Sequence, residues 1–536
     1  MDSNLGIELP ALHPFVGMDV TSALEERARR YGERPFLVWE PPDGARRTWT
    51  YGEFARDVRA VAAGLASRGV RAGDAVVIHL DNSPGFLLVW FACARLGAVA
   101  VDLNTRYAED ELAHAVELTG AVGIVTDPRL GLADCPAVTA LGWTALLDPA
   151  TGTVPELVGD PELAPHREAD PAAALCVQLT SGTTARPKAA LFTHANALWA
   201  GRVGALLWRL APDTIQLVYA PLFHTHALCW QLLPTFWVGG TVVVQPKFSA
   251  SRFWEVSIRN RCTHTGLLPL LLKVVTSQPV PEHSYRSWIF GLEMPRLDTL
   301  LGVRIFSAWG QTEVVSTPVV GELDNPVDEG AIGRPAPGYQ VRVRRDDGAD
   351  AGPGETGDLL VGGIRGLSVF AGYLADPAAT AAAFEDGWLL TGDRVTVLPS
   401  GTLRFASRAK DMLKVSGENV AAAEIERVIT TVAGVGQAAV VARPDPVRGE
   451  VAVAFVIAAA AHPDPDETAL QEAVVSACQQ QLADFKVPRA VYVVPELPTA
   501  TLEKVAKGTL RQWAADRHLA DNAPPLEMPP HPEMPR

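Results

Sequence analysis

The sequence predicts an α/β protein: a large N-terminal domain of α/β sheets with a β-rich subdomain, then a small α+β C-terminal domain. Three observations predict it. From about residue 20 to 310, segments with one apolar helical face alternate with short, wholly apolar runs of strand length, the pattern of βα units around a mainly parallel sheet. From about 320, glycines at 333, 338, 348, 352, 354 and 357 punctuate short alternating segments such as Val341-Arg342-Val343-Arg344, as in a β-rich subdomain. Beyond about 410 a smaller helix-and-strand unit begins. At 536 residues the chain exceeds what one hydrophobic core organises.

Each element has its own warrant. Residues 20–35 and 51–69 read as helices; in the second, Phe54, Val58, Val61 and Leu65 share a face and Gly69 ends it. Ala75–Leu80 reads as a strand, Phe86–Leu96 as a buried helix, and Val99–Leu103 and Gly123–Thr126 as further strands. Residues 145–170, rich in Pro, Asp and Glu, read as a surface connection. Ala172–Leu179 is an apolar run that delivers the chain into a polar loop, and Ile215–Ala220, Thr241–Gln245 and Val303–Ser307 are later strands. In the last unit, Ile425, Val428, Ile429 and Val432 form a helix face, Ala438–Val441 and Val451–Ile457 are strands around a Pro/Gly loop, and Thr468–Phe485 is a helix. The proline-rich tail after Leu519 has a disordered composition.

Composition excludes several classes. A net charge of −15 opposes nucleic-acid and anionic-membrane binding, so an anionic ligand must be held by local donors and a metal. The six cysteines (Cys93, Cys135, Cys176, Cys229, Cys262 and Cys478) are scattered without a C-x-x-C pair, which suggests reduced thiols in the cytoplasm. The N-terminus lacks the basic-then-apolar pattern of a signal peptide, and the apolar run Phe86–Ala94 is too short to span a bilayer.

Five clusters carry chemistry. In Thr180-Ser181-Gly182-Thr183-Thr184-Ala185-Arg186-Pro187-Lys188, four hydroxyls, a glycine and a lysine fall within nine residues, closely followed by Phe192-Thr193-His194-Ala195-Asn196. Backbone N–H groups, hydroxyls and a cation together suit a phosphate. Pro187 and Ala189 around Lys188 exclude the G-K-[ST] ending of a Walker loop. Ser307-Ala308-Trp309-Gly310-Gln311-Thr312-Glu313 follows a strand, where a carboxylate suits a ligand crevice and, with phosphate oxygens, Mg²⁺. Asp393, in Thr391-Gly392-Asp393, could accept ribose hydroxyls. The fourth and fifth clusters are the basic runs Arg408–Asn419 and Leu497–Lys507. Alone, each is an ordinary turn or a solvated face.

In this order the clusters resemble the adenylate-forming superfamily, over about residues 20–512. The resemblance is nearest to the crotonobetaine/carnitine-CoA ligase type, on Asp81-Asn82-Ser83-Pro84, Leu88-Val89-Trp90-Phe91 and Leu103-Asn104-Thr105-Arg106-Tyr107. It implies that a small-molecule carboxylic acid attacks ATP to give an acyl-adenylate and pyrophosphate, and that the acyl group passes to coenzyme A. An amine acceptor, giving an amide, is the alternative; loading of a carrier protein is a third option, disfavoured because no carrier domain is evident. Thr180, Ser181, Gly182, Thr183, Thr184 and Lys188 would cradle the outer phosphates, with Thr184 and Lys188 also catalytic. Trp309, Gly310, Gln311 and Thr312 would line the nucleotide, Thr312 touching the α-phosphate, and Glu313 would hold Mg²⁺. Asp393 and Arg408 would bind the ribose, and Lys504 would bridge carboxylate and α-phosphate.

The same resemblance makes Lys410 a hinge, dividing the chain into an N-terminal ATP- and acyl-binding domain, 1–409, and a mobile C-terminal domain, 410–536, that carries Lys504. Lys414, Ser416, Gly417 and Glu418 belong to the loop presented to the acceptor. His224 matches a gate beside the acyl pocket, and Gly291, Leu292 and Glu293 match its lining, with Glu293 hinting at a polar or cationic group on the acid. The chain departs from the family pattern at Ala185, Ser407 and Glu503, each standing where glycine is usual; Glu503 puts an anion beside Lys504. A monomer or homodimer in the cytoplasm, with neither nucleic-acid partner nor membrane span, completes the expectation.

Overall fold

The computed structural model describes the chain except residues 1–6, 44, 108, 181–187, 268–271, 273, 274, 277, 278, 409–411, 416, 417, 446, 447, 460–465, 483, 500–504 and 522–536. Among the described residues the strands form four sheets, two of seven and nine strands and two of five. The seven-stranded sheet places Ala75–His79, Val99–Asp102, Gly123–Thr126 and Trp143–Leu146 parallel to one another, with Val99–Asp102 also parallel to Ala174–Thr180. Beyond Ala174–Thr180 the direction reverses: Lys188–Thr193 returns antiparallel and pairs in turn with Gly372–Tyr373.

The nine-stranded sheet runs Ile215–Val218, His264–Gly266, Ser287–Phe290 and Arg304–Trp309 side by side and parallel. Their C-terminal ends therefore meet along one edge, where open α/β sheets place their ligands. The β-rich subdomain pairs Gln340–Arg344, Thr356–Gly362, Trp388–Val397 and Leu403–Arg408 antiparallel. In the last unit, Ile425, Val428 and Ile429 of the helix Ala422–Ile429 pack with Leu413, Val440, Ala454, Val474 and Cys478 into a separate core.

Local chemistry explains the long helices. Thr50 and Glu53 form a capping box on Tyr51–Ser67, and Ser83 caps Pro84–Leu96, which has proline in its first turn. That second helix is buried at every position but Arg95, as an all-apolar sequence requires. The Phe192–Asn196 stretch is architectural. Thr193 and Asn196 cap the helix His194–Leu207 reciprocally, and the Asn196 amide donates to the carbonyls of Leu367 and Val369, each at 2.9 Å.

Two expectations need correction. Residues 145–170 do not simply cross the surface. Leu157 is fully buried in the main core and Arg167 reaches Asp19 at 2.6 Å, because short turns opened by Pro155 and Pro161 fold the segment back onto the domain. The last helix, Lys507–Asp521, also runs past Leu519; the proline-rich remainder lies outside the described residues. All six cysteines are buried free thiols. Among the described residues, no helix is long and apolar enough to cross a membrane.

Candidate active site

The hairpin Ala174–Thr180 / Lys188–Thr193 sets Thr180 directly opposite Lys188, with the Thr180 hydroxyl 3.4 Å from the Lys188 carbonyl. Ser181, Gly182, Thr183 and Thr184, which join the two strands, lie outside the described residues. Pairing of Lys188–Thr193 with Gly372–Tyr373 brings Tyr373 beside the lysine, whose Nζ sits 4.8 Å from the ring centroid. Such a cation over an aromatic face gains about 0.5–2 kcal/mol, depending on burial.

Tyr373 links this hairpin to the other sheet. Its hydroxyl donates to Glu313 Oε1 at 2.8 Å, and the Phe370 amide donates to the Glu313 carbonyl at 2.9 Å. Burial, then the Glu313 charge, pushes the Tyr373 phenol upward, so it remains a donor. Glu313 sits in the single turn Thr312–Val314, just beyond the strand Arg304–Trp309. The next residue, Val315, has φ 64° and ψ −53°, and the Ser316 amide closes a three-residue turn onto the Val314 carbonyl at 2.6 Å. A β-branched residue there is strained, and strain of this kind gathers at functional sites.

Trp309 and Asp393 meet as well. The indole Nε1 donates to Asp393 Oδ2 at 2.9 Å, with both residues buried. Strand register sets Arg408 opposite Asp393. Lys188, Glu313, Trp309, Asp393 and the Arg408 backbone are thus joined through two sheets and the β-rich subdomain. A cavity of about 670 Å³ beside Tyr373, lined by Leu191, Arg365, Asp376, Thr380 and Phe384 among others, includes none of these five. Tyr373 itself lines it, so the cavity adjoins the site at that residue.

The surroundings of His224 are built differently. His224 precedes the short helix Thr225–Ala227, and its ring packs on Phe223 at 4.7 Å. The Thr225 hydroxyl donates to Gln178 Oε1 at 2.6 Å, tying this segment to the strand Ala174–Thr180. Asn82 fixes its approach: Nδ2 donates to the Ala220 and Gln245 carbonyls, and Oδ1 accepts from the Leu222 amide at 2.7 Å. His226 is held neutral by burial, its pKa lowered to about 4. Its Nδ1 lies 3.3 Å from Gln231 Nε2, and Gln231 Oε1 accepts from the Gly266 amide at 3.1 Å.

Glu293 overturns the hint drawn from its sequence. Its side chain is fully buried, pairs with Arg304 at 2.6 Å and meets the Ser307 amide at 3.3 Å, so the carboxylate faces its own scaffold rather than a substrate or solvent. Arg304 also reaches Asp298 at 3.0 Å. Gly291 has open space at its Cβ position and Leu292 is exposed, so these two stay at the crevice edge.

Of the remaining candidates, Gly310, Gln311 and Thr312 follow directly from Trp309. Lys410, Ser416, Gly417 and Lys504 lie outside the described residues, as do Ala185 and Glu503, while Lys414 pairs with Asn419 and Glu418 with Val415 across two antiparallel strands. Sequence reasoning missed Tyr373, Gln178 and Gln231. A single tyrosine after glycine and two lone glutamines carry no spacing signal, and only the fold brings them together.

The pattern that defines the AMP-binding enzyme matches residues 24–374, and that of the AMP-binding enzyme C-terminal domain matches residues 424–504. A crotonobetaine/carnitine-CoA ligase of Proteus mirabilis is 31% identical over 513 residues, covering 91% of this chain and 98% of the relative. Among solved structures, ATP-bound MatB from Rhodopseudomonas palustris superposes with a TM-score of 0.83 at 25% identity, over 94% of this chain and 100% of that one. The o-succinylbenzoate CoA synthetase of Bacillus subtilis, solved with its acyl-adenylate intermediate, gives a TM-score of 0.78 at 26% identity, over 91% and 97%. With two family patterns in order along the chain and full-length relatives of this kind, the chain belongs to the AMP-binding enzyme family, as an adenylate-forming enzyme of the acyl-CoA ligase type.

Proposed function

We propose that this protein uses ATP to activate a carboxylic acid as its acyl-adenylate and then passes the acyl group to coenzyme A. The observation that carries the reading is the placement of Lys188 and Glu313 on one tyrosine, the cation over its face and the carboxylate at its hydroxyl. A cation and a carboxylate so fixed suit a polyphosphate and its counter-ion. Glu313 fits Mg²⁺, which binds through one or two carboxylates plus substrate phosphates rather than in an all-protein cage. When bound, the metal would neutralise phosphate charge.

In the first step a carboxylate oxygen bonds to the α-phosphorus and the bond to the β-phosphate breaks, releasing pyrophosphate. Thr180, Ser181, Gly182, Thr183, Thr184 and Lys188 hold the outer phosphates, Thr312 touches the α-phosphate, and Asp393 with Arg408 holds the ribose. Lys504 neutralises charge growing between carboxylate and α-phosphate. In the second step the thiol sulfur attacks the acyl carbon, AMP leaves and the thiol proton passes to solvent. Rotation at Lys410, the boundary of domains 1–409 and 410–536, withdraws Lys504 and presents Lys414–Glu418 to the acceptor. His224 gates the acyl pocket. ATP and coenzyme A place the reaction in the cytoplasm, carried out by a monomer or homodimer.

The test is acid-dependent pyrophosphate release, run with coenzyme A, with an amine mixture, or with neither. Thioester formed only with coenzyme A is the expected result. Turnover only with amines would move the protein to amide synthesis, and no release from any acid while ATP still binds would overturn activation itself. If Lys504→Ala left the release unchanged, the role given to that lysine would fail.

A further inference from the structure

Two glycines stand at the C-terminal ends of parallel strands, Gly266 at the end of its own and Gly310 just after Trp309, with the strand Ser287–Phe290 between them. Glycine at such places ordinarily leaves depth for a ligand. Here the chain itself fills it. Trp230 Cζ2 and Cη2 lie 2.6 and 3.2 Å from where a Cβ on Gly310 would sit, with the Ser316 carbonyl oxygen also at 2.6 Å, and Gln231 Nε2 and His226 Cε1 lie 2.7 and 2.8 Å from the same point on Gly266. The two rings pack edge to face, with centroids 5.4 Å apart.

The backbone that aims them is unusual. Residues Leu228–Leu232 form one π-helical turn, closed by the Leu233 amide on the Leu228 carbonyl. Turns of this kind occur mostly at functional sites, because the extra residue re-aims the side chains around it. Gln231 within that turn spends Oε1 on the Gly266 and Gln216 groups and Nε2 on His226, which locks the arrangement to the strand ends. Tyr219 closes the neighbouring position by donating its hydroxyl to the Gly266 carbonyl. None of Tyr219, Trp230 and Gln231 carries charge at neutral pH, and His226 stays neutral. Glu293, a nearby carboxylate, is neutralised by Arg304.

The geometry points to Trp230 as the residue that ends the acyl crevice, and to a short carboxylic acid with an uncharged tail as the substrate. This rests on the acid-activation reading above. The indole stands over Gly310, so an acid tail that runs from the nucleotide past this glycine meets the ring. A longer chain must displace the ring from a half-buried site packed against His226.

The experiment measures acid-dependent pyrophosphate release for straight-chain acids from acetate to decanoate, for benzoate, and for 4-(trimethylammonio)butanoate. Wild type is compared with Trp230→Ala and with Trp230→Phe, which keeps an aromatic ring should the alanine variant fail to fold. Wild type is expected to favour the short acids. Trp230→Ala should move the optimum to longer acids, raising kcat/KM for octanoate at least roughly tenfold, since each accommodated methylene contributes about ten- to two-hundredfold. Trp230→Phe should move it part of the way.

An unmoved chain-length profile in both variants would overturn the role of Trp230 while leaving acid activation intact. So would a wild type that accepts decanoate as readily as butyrate. Preference for the trimethylammonio acid would overturn the uncharged-tail class. No pyrophosphate from any acid with any variant would instead overturn the activation reading, and this inference with it.

Discussion

At the proposed nucleotide end of the crevice, side chains meet through charge: Lys188 over Tyr373, Tyr373 on Glu313, Trp309 on Asp393. At the proposed acyl end they meet through shape: His226 and Gln231 crowd Gly266, Trp230 crowds Gly310, and the buried charge pair of Glu293 with Arg304 faces inward as scaffold. On the function proposed above, the first end would hold phosphates, whose chemistry dictates residue types. The second would hold an acid tail, for which volume is enough. Charges at the two ends should therefore fail differently when removed, one in activity and the other in stability.

The largest effect expected is on the scaffold. Arg304→Met leaves Glu293 buried without its cation, which costs about 3–5 kcal/mol when one partner of a buried pair is removed. The double variant Arg304→Met with Glu293→Gln should recover most of that loss, read as the unfolding midpoint. A single-variant loss of only a few tenths would mean that the pair contributes little and that Glu293 could serve a ligand after all. At the other end, Lys188→Ala should lower kcat/KM for acid-dependent pyrophosphate release by about 10²–10³-fold, the range for one electrostatic stabiliser, with the unfolding midpoint little moved. If Lys188→Ala unfolded the protein instead, the contrast between the two ends would be lost.

The same contrast explains what the sequence disclosed. The alternation of apolar segments was enough to place the strands Val99–Asp102, Gly123–Thr126 and Ile215–Val218 and the helix Tyr51–Ser67 within a few residues, because burial imposes periodicity locally. Lys188, Trp309, Glu313 and Asp393 stood out as candidates because phosphate, metal and ribose require particular donors at particular spacings, and the fold does join Lys188 to Glu313 through Tyr373 and Trp309 to Asp393. Tyr373 did not stand out, since its role arises only when the strand Gly372–Tyr373 pairs with Lys188–Thr193, far away in sequence. Glu293 hinted at a polar or cationic group on the acid for the same reason: a lone carboxylate has no visible partner until the strand carrying Arg304 is set beside it. Trp230 and Gln231 were hidden because a π-turn breaks the helical period by which apolar faces are recognised.

A subtler test concerns the neutral imidazole at the acyl end. Burial lowers the His226 pKa to about 4, against about 6.5 for an unfolded chain. A depressed folded-state value means that the unfolded chain binds more protons between these limits. The contribution to stability is therefore complete above about pH 6.5 and is lost as the pH falls towards 4. Because His79, His194 and His264 are depressed as well, the informative quantity is the difference between wild type and His226→Asn across that window. The variant should lose less stability than wild type on acidification. Parallel curves would show that the His226 ring is solvated, and with it the crevice floor above Gly266.

The smallest effect tests where the two ends join. Val315 stands two residues after Glu313, fully buried, at a positive φ that costs of order 1–3 kcal/mol for a residue with a Cβ. Burying its side chain offsets that cost by about 1.5–3 kcal/mol, so the strained turn persists without a net penalty. Alanine at 315 keeps the strain and loses the packing, whereas glycine loses the packing and the strain together. Glycine is ordinarily less stable than alanine by about 0.5–1 kcal/mol within regular structure. Here the order should invert, with Val315→Gly about 1 kcal/mol more stable than Val315→Ala by unfolding midpoint. Since the turn fixes how Glu313 leaves the strand, the glycine variant should also turn over more slowly than the alanine variant despite its greater stability. A glycine variant less stable than alanine would show that the turn relaxes in solution, and that Glu313 is aimed by Tyr373 alone.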